Sequence, residues 1–298
     1  MTLAFPVAPM KATLGSLPAD DDGWAYEIKW DGYRTLAFVD GAGLRLQSSN
    51  LYDVTVKYPE LGGIGDSLNA DSAILDGELV ALDERGVPRF ELFQRRAVQV
   101  VFQAFDVLQI DGRDTIALAY EERRELLAGL LDEGSNWKVP AHRIGDGAEL
   151  LAATAERGME GIMAKRLGSL YTPGKRTPNW RKVKNRYPTE VLIGGYTPGT
   201  GNRSSTFGSL LVGVYEPDLR LRFAGGVGTG FTQKRLVELL AVMRPLVVEQ
   251  CPFDPPPPRE YTRGGVTWVR PELRARVEIT EFTNIGLVRQ SSFIDLVD

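Results

Sequence analysis

The chain contains very little cysteine and histidine. Cys251 is the only cysteine and His142 the only histidine among its 298 residues. A single thiol cannot form an intramolecular disulfide, and a zinc site made of four cysteines is excluded. This composition fits a reducing compartment, and we expect no functional role for His142.

Long apolar runs are also missing. No segment approaches the roughly 20 consecutive apolar residues that a membrane-spanning helix needs. Residues 1–11 lack the basic and then apolar pattern of a secretory signal. We therefore predict a cytoplasmic location and no membrane partner. With 43% hydrophobic and 25% charged residues the composition is globular, and the length suggests two domains.

Positive charge is scarce overall but concentrated in one segment. The net charge of −4 argues mildly against a nucleic-acid partner. Residues 1–164 hold fifteen Lys and Arg against twenty-seven Asp and Glu, whereas residues 165–186 hold eight Lys and Arg and no acidic residue. This distribution indicates either a local phosphate-binding surface or a solvated basic loop, and composition alone does not favour one of them.

Hydrophobic patterns predict an α+β protein. In the first part of the chain, the predicted strands are 24–31, 35–39, 73–81 and 98–108. The predicted helices are 123–132 and 148–157, with Gly158 as the stop of the second.

The pattern changes after Pro188. Short strands separated by Gly and Pro turns are predicted at 191–196, 209–215, 220–224, 266–269 and 276–282. Residues 236–243 have helical spacing, with Thr232 as a possible N-cap and Pro245 as the end. Such strands with one helix are typical of an OB-fold β-barrel. We predict domains at residues 1–187 and 188–298.

Familiar glycine-rich nucleotide motifs are absent. Residues 168–176 contain a Gly-Lys pair, but the spacing is not that of a P-loop and arginine follows where serine or threonine is needed. Residues 225–230 do not match GxGxxG and do not lie in a βαβ pattern. Plain turns and bulges explain both segments better.

The segment KWDGYR, residues 29–34, gathers reactive groups. On an extended segment Lys29 and Asp31 point to the same side, and Gly32 permits a bend that returns Arg34 toward them. A lysine becomes a nucleophile when it loses its proton, which nearby cations or burial favour. From spacing alone, a surface ion pair explains the segment better.

The same segment matches the KxDGxR motif of the covalent nucleotidyltransferases, which comprise DNA ligases, RNA ligases and mRNA capping enzymes. Four later segments resemble the remaining motifs in the expected order. They are DGE at 76–78, FDVL at 105–108, EGIMAK at 160–165 and WRKVK at 180–184. Five ordered matches over about 160 residues argue against coincidence.

Further segments narrow the resemblance to the ATP-dependent DNA ligases of bacterial end joining, namely the ligase domain of ligase D and the stand-alone ligase C. They are PMKAT at 9–13, GSLLVGVY at 208–215, GVGTGF at 226–231 and VRPEL at 269–273. The resemblance implies a nucleotidyltransferase (adenylation) domain with antiparallel sheets and helices, followed by an OB-fold domain.

The resemblance implies an enzyme that seals 5′-phosphate and 3′-hydroxyl ends of DNA through a lysyl-AMP intermediate. Lys29 would attack the α-phosphate of ATP, and the AMP would then pass to the 5′-phosphate, from which the 3′-hydroxyl displaces it. Each step is an in-line displacement at phosphorus, so positioning and charge neutralisation dominate. The implied catalytic residues are Lys29, Asp31, Arg34, Lys182 and Lys184.

Nucleotide contacts and metal ligands are implied as well. Arg34 and Glu78 would hold the ribose, Phe105 would stack on the adenine beside Glu27, and the remaining cations would neutralise phosphate charge. The implied nucleotide-binding residues are Glu27, Lys29, Arg34, Glu78, Phe105, Lys165, Arg176 and Lys182. The implied ligands of Mg²⁺ or Mn²⁺ are Glu160, Asp31 and Glu78.

Nicked or broken duplex DNA is the implied partner, and the basic segment and the OB domain would bind its backbone. Ku and an end-joining polymerase are further partners of such ligases. We expect a monomer that acts in DNA repair in the cytoplasm, on the nucleoid. Two alternatives remain open: another covalent nucleotidyltransferase (an RNA ligase or a capping guanylyltransferase), or a non-catalytic OB-containing DNA-binding protein.

Two segments depart from the family pattern. Relatives read roughly SRNG after the first motif, whereas this chain reads SSNL at 48–51, so Ser49 replaces an arginine that contacts phosphate. VRQSSF at 288–293 resembles the start of the C-terminal motif, but residues 294–298 replace its usual basic ending. We expect either slow adenylation of Lys29 or a role for Arg289 alone at the leaving pyrophosphate.

Overall fold

The computed structural model describes residues 3–41, 43–95, 98–282, 286–289 and 291–297. The chain divides into two compact units, Met1–Asn185 and Arg186–Asp298. This division lies two residues before the boundary expected after Tyr187, because Tyr187 already pairs with Ile279 in the sheet of the second unit. Within the described ranges, no helix is long and apolar enough to cross a membrane.

The first unit is mostly antiparallel β-structure with short helices. Its strands are β1 (Lys11–Leu14), β2 (Trp24–Ile28), β3 (Tyr33–Asp40), β4 (Gly43–Ser48), β5 (Ala73–Ala81), β6 (Val100–Ile110), β7 (Arg113–Asp114), β8 (Trp137–Lys138), β9 (Arg143–Ile144), β10 (Gly161–Arg166) and β11 (Arg176–Lys184). Its α-helices are α1 (Phe90–Arg95), α2 (Tyr120–Leu130) and α3 (Gly147–Glu156), and its 3₁₀ helices are Thr55–Lys57 and Pro59–Ser67.

These strands form two sheets. Sheet A has the order β1-β11-β10-β2-β9, and sheet B has the order β4-β3-β5-β6-β7 with β8 beside β6. The pairs β1·β11 and β6·β8 are parallel, and the others are antiparallel. Leu36 and Phe105 of sheet B share one apolar cluster with Ala12 and Trp180 of sheet A, so the two sheets pack against each other.

Strand alternation explains why charged groups face the space between the sheets. Leu75 and Leu79 of β5 pack into the main core of the unit, so Asp76 and Glu78 point to the opposite face. Arg34 of β3 lies directly across from Glu78, and residues opposite each other share a face. The KxDGxR and DGE motifs therefore meet through the register of β3 and β5.

The first motif differs locally from the sequence-based expectation. The strand predicted over 24–31 ends at Ile28, so Lys29 and Asp31 lie in the connection to β3, where simple alternation does not set their directions. Gly32 lies at a bend, but space is what requires the glycine there: a Cβ would lie 2.0 Å from the carbonyl oxygen of Leu79.

The predicted helices of the first unit are present with shifted ends. The prediction over 123–132 corresponds to α2, which begins three residues earlier, at Tyr120. The prediction over 148–157 corresponds to α3. Gly158 follows the end of α3 with a left-handed φ of 66°, the conformation in which glycine commonly terminates a helix.

The second unit combines an antiparallel sheet with a helix. Its strands are β12 (Tyr187–Pro198), β13 (Phe207–Tyr215), β14 (Leu221–Val227), β15 (Val247–Val248), β16 (Thr267–Val269), β17 (Arg274–Ile279), β18 (Glu281–Phe282), β19 (Val288–Arg289) and β20 (Ser292–Val297). Its α-helices are α4 (Gln233–Met243) and α5 (Arg259–Thr262), and its 3₁₀ helices are Gly201–Arg203 and Arg244–Leu246.

Strand β12 organises the second unit, because it pairs with β13, β16 and β17. Helix α4 packs Leu236, Leu239 and Met243 into the core of this sheet. The Thr232 hydroxyl accepts a hydrogen bond from the backbone N–H of Arg235 at 3.2 Å, which confirms the predicted N-cap. The second unit is the predicted OB-fold, and the α+β class is confirmed.

One buried ion pair ties helix α2 to sheet B. The Arg123 guanidinium donates to both carboxylate oxygens of Asp106, at 2.7 and 2.9 Å, and both side chains are fully buried. Arg123 also donates to the carbonyl oxygens of Leu118 and Ser169. Because every charge in this group has a partner, loss of one member leaves an uncompensated buried charge.

We expect Asp106→Ala to lower the free energy of unfolding by about 3–5 kcal/mol, the usual effect of removing one partner of a buried pair. Urea denaturation measures this change. The matched control is Glu149→Ala, which removes an exposed pair with Arg143 in the same unit and should change stability by less than about 1 kcal/mol. Equal losses in the two variants would contradict the buried-pair explanation.

Candidate active site

A cavity of about 280 Å³ lies between sheets A and B. Its lining residues are Pro9, Met10, Lys11, Ala12, Glu27, Ile28, Lys29, Trp30, Arg34, Ser49, Glu78, Phe105, Met163, Lys165, Arg176, Trp180 and Lys182. All eight residues expected to bind nucleotide are in this set, whereas Asp31, Glu160 and Lys184 are not. Six lining side chains are Lys or Arg and two are carboxylates, a balance that suits a polyphosphate.

Lys29 lies immediately after β2, with its backbone fixed to sheet A. Its N–H donates to the carbonyl oxygen of Gly161 at 3.0 Å. Its Nζ forms a close ion pair with Glu160, and the other oxygen of Glu160 lies 2.8 Å from Nζ of Lys184. Glu160 and Lys184 therefore do not line the cavity, and they influence it through their ion pairs with Lys29 and with each other.

Arg34 is held rigidly beside the cavity. Its guanidinium donates to both oxygens of the fully buried Asp76, at 2.5 and 2.6 Å, and the Tyr171 hydroxyl donates to the same carboxylate at 2.6 Å. Burial opposes the charge of Arg34, but the adjacent Asp76 carboxylate outweighs it and raises the pKa of Arg34. Arg34 is therefore a fixed cation with a fixed orientation.

The environment of Glu78 disfavours its ionised form, in contrast to the environment of Arg34. Burial raises its pKa to about 7, and repulsion from Asp76 and Asp31 acts in the same direction. Arg34 and Lys29 partly offset this effect. Glu78 therefore exchanges its proton near neutral pH, and a ligand with positive charge would favour its ionised form.

The predicted phosphate-binding cations come together on β11. Burial lowers the pKa of Lys182, and the neighbouring charge of Lys29 lowers it further. The Arg176 guanidinium donates to the carbonyl oxygen of Ala12 on the adjacent strand β1. Among the described residues, neither Arg176 nor Lys182 forms a salt bridge with a carboxylate, so both are available to an anion.

Aromatic rings and a buried ion pair form another part of the wall. Nζ of Lys165 lies 2.7 Å from Glu27, and 4.4 and 4.3 Å from the ring centres of Phe105 and Trp180. Burial lowers the pKa of Lys165 to about 8, while Glu27 opposes that shift. We call Glu27, Phe105, Lys165 and Trp180 the base end of the cavity.

Several lining residues were not expected to belong to a site. Trp180 lies across from Lys165 in the β10·β11 pair, and Met163 lies across from Lys182. Their positions on one strand pair explain why they reach the cavity, but neither residue type is a reactive group. Lys11 also lines the cavity, from β1 opposite Arg176. Only the pairing of distant strands reveals these positions.

The expected metal ligands do not form a closed site. Among the described residues, no group of three His, Cys, Asp or Glu side chains is arranged to hold a metal ion. Glu78 is nevertheless half-buried near Asp31 and Asp76 with a raised pKa, and a divalent cation would relieve that repulsion. Magnesium retains several waters and needs one or two carboxylates, so these residues fit a water-rich magnesium site.

The two departures from the family pattern have different outcomes. Ser49 lines the cavity, and its backbone N–H donates to the carbonyl oxygen of Arg34 at 3.1 Å. A short hydroxyl therefore stands on this wall at the position where the family resemblance predicts an arginine. The side chain of Arg289 lies outside the described part of the chain, so the expectation for the C-terminal motif stays a prediction.

Comparison with known proteins places this chain in a family. Residues 2–184 match the family model described as ATP dependent DNA ligase domain, and residues 203–297 match the one described as ATP dependent DNA ligase C terminal region. The multifunctional non-homologous end joining DNA repair protein LigD of Mycobacterium tuberculosis is 42% identical over 290 residues, which cover 96% of this chain. The chain spans only 38% of that relative's length.

Two solved structures show the same similarity. The crystal structure of the ligase domain of M. tuberculosis LigD has 41% identity and a TM-score of 0.59, and the match covers 98% of this chain and 95% of that one. A mycobacterial DNA ligase D complexed with ATP and MES has 40% identity, a TM-score of 0.59 and the same coverage. With its family matches spread across both units, the chain belongs to the ATP-dependent DNA ligases.

Proposed function

We propose that this chain takes AMP from ATP onto Lys29 and uses it to join 5′-phosphate and 3′-hydroxyl ends of nicked or broken duplex DNA. One observation supports this most strongly: Lys29 lies in a cavity that has unpaired cations on one wall and an aromatic base end on another. That arrangement suits a nucleoside triphosphate whose α-phosphate reaches the amine.

The first step is a displacement at the α-phosphorus. The Lys29 amine, after losing a proton, forms the new P–N bond, and the bond from the α-phosphorus to the pyrophosphate oxygen breaks. The charge of Lys29 contributes to the lowered pKa of Lys182, so the two amines interact, and Lys182 would neutralise the α-phosphate together with Arg176. Lys184 would act through Glu160, which it shares with Lys29.

The remaining residues of the cavity are assigned to the sugar and the base of the nucleotide. Arg34, held by Asp76, and Glu78 directly across from it would bind the ribose hydroxyls. Phe105 would stack on the adenine beside Glu27. Lys165 contacts Glu27 at the base end, which assigns it to the base more naturally than to the phosphates.

A Mg²⁺ or Mn²⁺ ion would be held through water by Glu160, Asp31 and Glu78. When bound, it supplies positive charge to the phosphate oxygens. The raised pKa of Glu78 supports this placement, because a cation there favours the ionised carboxylate.

The DNA partner follows from charge and from the second unit. The basic segment 165–186 and the OB-fold would bind the DNA backbone with little sequence preference and strong salt sensitivity. By analogy with the end-joining LigD relatives, we propose a role in DNA repair on the nucleoid, with Ku and an end-joining polymerase as partners.

A nick-joining assay with labelled ATP tests this proposal. Transfer of label to the protein and closure of the nick would support it. Labelling by GTP would indicate a capping guanylyltransferase, joining of RNA alone would indicate an RNA ligase, and DNA binding without any label would indicate a non-catalytic protein.

We expect Lys29→Ala to take up no AMP and to leave ordinary nicks open, because the variant lacks the amine that is proposed to form the P–N bond. The same variant should still close nicks that carry a 5′-adenylate, since the last displacement does not use the amine. That second substrate controls for folding. Normal joining of unadenylated nicks by Lys29→Ala would contradict the assignment.

We expect Lys182→Ala to slow AMP attachment by about 10²–10³-fold, the usual effect of losing one stabilising contact to transition-state charge. Lys184→Ala should slow the same step, because Glu160 then loses one of its two cations and pairs with Lys29 alone. Rapid-quench measurement of AMP attachment without DNA checks this. Lys175→Ala is the matched control, because Lys175 is an exposed lysine of the same basic segment outside the cavity lining. Near-wild-type rates for both test variants would contradict the role of the basic segment in neutralising phosphate charge.

The pH profile should report the titration of Glu78. Its raised pKa of about 7 means that the carboxyl group is protonated below that pH and loses its affinity for a cation. The ratio of kcat/KM for AMP attachment between wild type and Glu78→Gln should therefore rise with pH up to about 7 and then level off. Taking the ratio removes pH effects common to both proteins. A ratio independent of pH would contradict this role.

A further inference from the structure

The Glu27 carboxylate is held from several sides at the base end. The Tyr120 hydroxyl donates to one oxygen at 2.5 Å, and Nζ of Lys165 lies 2.7 Å from the other. Nε of Arg124 lies 3.8 Å from the oxygen that Tyr120 contacts. These side chains are at most 3% exposed. Glu27 and Lys165 line the cavity, whereas Tyr120 and Arg124 lie behind them.

Tyr120 and Arg124 come from the start of helix α2. They are four residues apart, so they lie on one face of the helix. The helix start is fixed, because the Glu122 side chain accepts a hydrogen bond from the backbone N–H of Ala119 at 2.7 Å. Arg123 anchors the same turn to Asp106. The groups behind Glu27 therefore rest on a rigid support.

The contacts of Arg124 point to an electrostatic role. One of its amino groups donates to the carbonyl oxygen of Pro140. Its Nε and Nη1 are buried without a hydrogen-bond partner among the described residues. Its charge therefore acts on Glu27 across a short gap, and it adds to the charge of Lys165.

The hydrogen-bonding character of Glu27 follows from these neighbours. Burial favours the neutral acid, but the charges of Lys165 and Arg124 outweigh it, and the pKa of Glu27 is lowered. Burial keeps the pKa of Tyr120 well above its ordinary value, so its hydroxyl remains a donor. Glu27 is thus an ionised group that only accepts hydrogen bonds.

An acceptor-only carboxylate in a cavity wall distinguishes purines that have a 6-amino group from purines that have a 6-oxo group. It can accept from the 6-amino group of adenine, but it meets the 6-oxo group of guanine or hypoxanthine as acceptor against acceptor. In a desolvated site such a mismatch is costly, because the buried group is left unpaired. Selectivity then depends on how firmly the carboxylate is oriented.

We propose that Tyr120 and Arg124 are positioning residues that orient the Glu27 carboxylate for the 6-amino group of the nucleotide base. This inference rests on the proposed function, since it concerns the base of the ATP that labels Lys29. Neither residue touches the nucleotide. Both act through Glu27, and the hydrogen bond from Tyr120 fixes the orientation of the Glu27 carboxylate.

The test compares ATP with purine riboside triphosphate, which lacks the 6-amino group. The measured quantity is kcat/KM for nucleotide attachment to the protein, in wild type and in Tyr120→Phe. Wild type should prefer ATP, and Tyr120→Phe should reduce that preference about tenfold, chiefly through KM for ATP, because a hydrogen bond to a charged group is lost. The analogue should be used almost equally well by both proteins.

Tyr171→Phe is the matched control. It removes a buried hydroxyl from the same unit, but one that donates to Asp76 behind Arg34. Because Arg34 is assigned to the ribose, this variant should affect ATP and the analogue equally and leave their ratio unchanged. A purely structural effect of Tyr120→Phe would show the same pattern as this control.

A double-mutant cycle tests whether Tyr120 acts through Glu27. In a Glu27→Gln background, Tyr120→Phe should no longer change the ratio of ATP to analogue. An unchanged ratio in the single variant, or an equal change in both backgrounds, would overturn the positioning role. If the wild-type protein is labelled by ATP but shows no preference for ATP over the analogue, this inference fails and the proposed function stands. If wild type labels with neither nucleotide, both fail.

Discussion

Buried charge between two packed sheets is the constraint on which the first unit depends. An isolated charge in such a place is costly unless an opposite charge or hydrogen bonds compensate it. Arg34 is compensated by Asp76, Lys165 by Glu27 and Arg123 by Asp106. Each pair also joins two elements, namely β3 to β5, β10 to β2 and α2 to β6. The pairs that make burial tolerable therefore also fix the geometry of the cavity.

The charges that remain explain what the cavity can bind. Of the cations in its lining, Lys11, Arg176 and Lys182 form no salt bridge among the described residues. A triphosphate would supply the missing negative charge. At the base end, Glu27 is oriented by Tyr120 and Lys165 and is presented as a fixed acceptor. Two parts of one cavity thus suit the two chemically different ends of a nucleotide.

The sequence predicted much of this arrangement because the motifs lie on regular strands. The predicted strand 73–81 coincides with β5, and all eight expected nucleotide-binding residues line the cavity. The sequence did not predict the end of β2 at Ile28, because residues 29–31 continue an extended pattern. Tyr120 was missed because its hydrogen bond spans 93 residues of sequence. Such a contact depends on the packing of α2 against the sheets, which no local pattern encodes.

The central claim is that Lys29 becomes covalently linked to AMP. Intact-mass measurement of the purified chain after incubation with ATP and magnesium, followed by peptide mapping, tests it most directly. We predict the addition of one adenylyl group, located on the peptide that contains Lys29 and lost when pyrophosphate is added. A chain that never carries this group, either as purified or after incubation, or that carries it on another residue, would contradict the account.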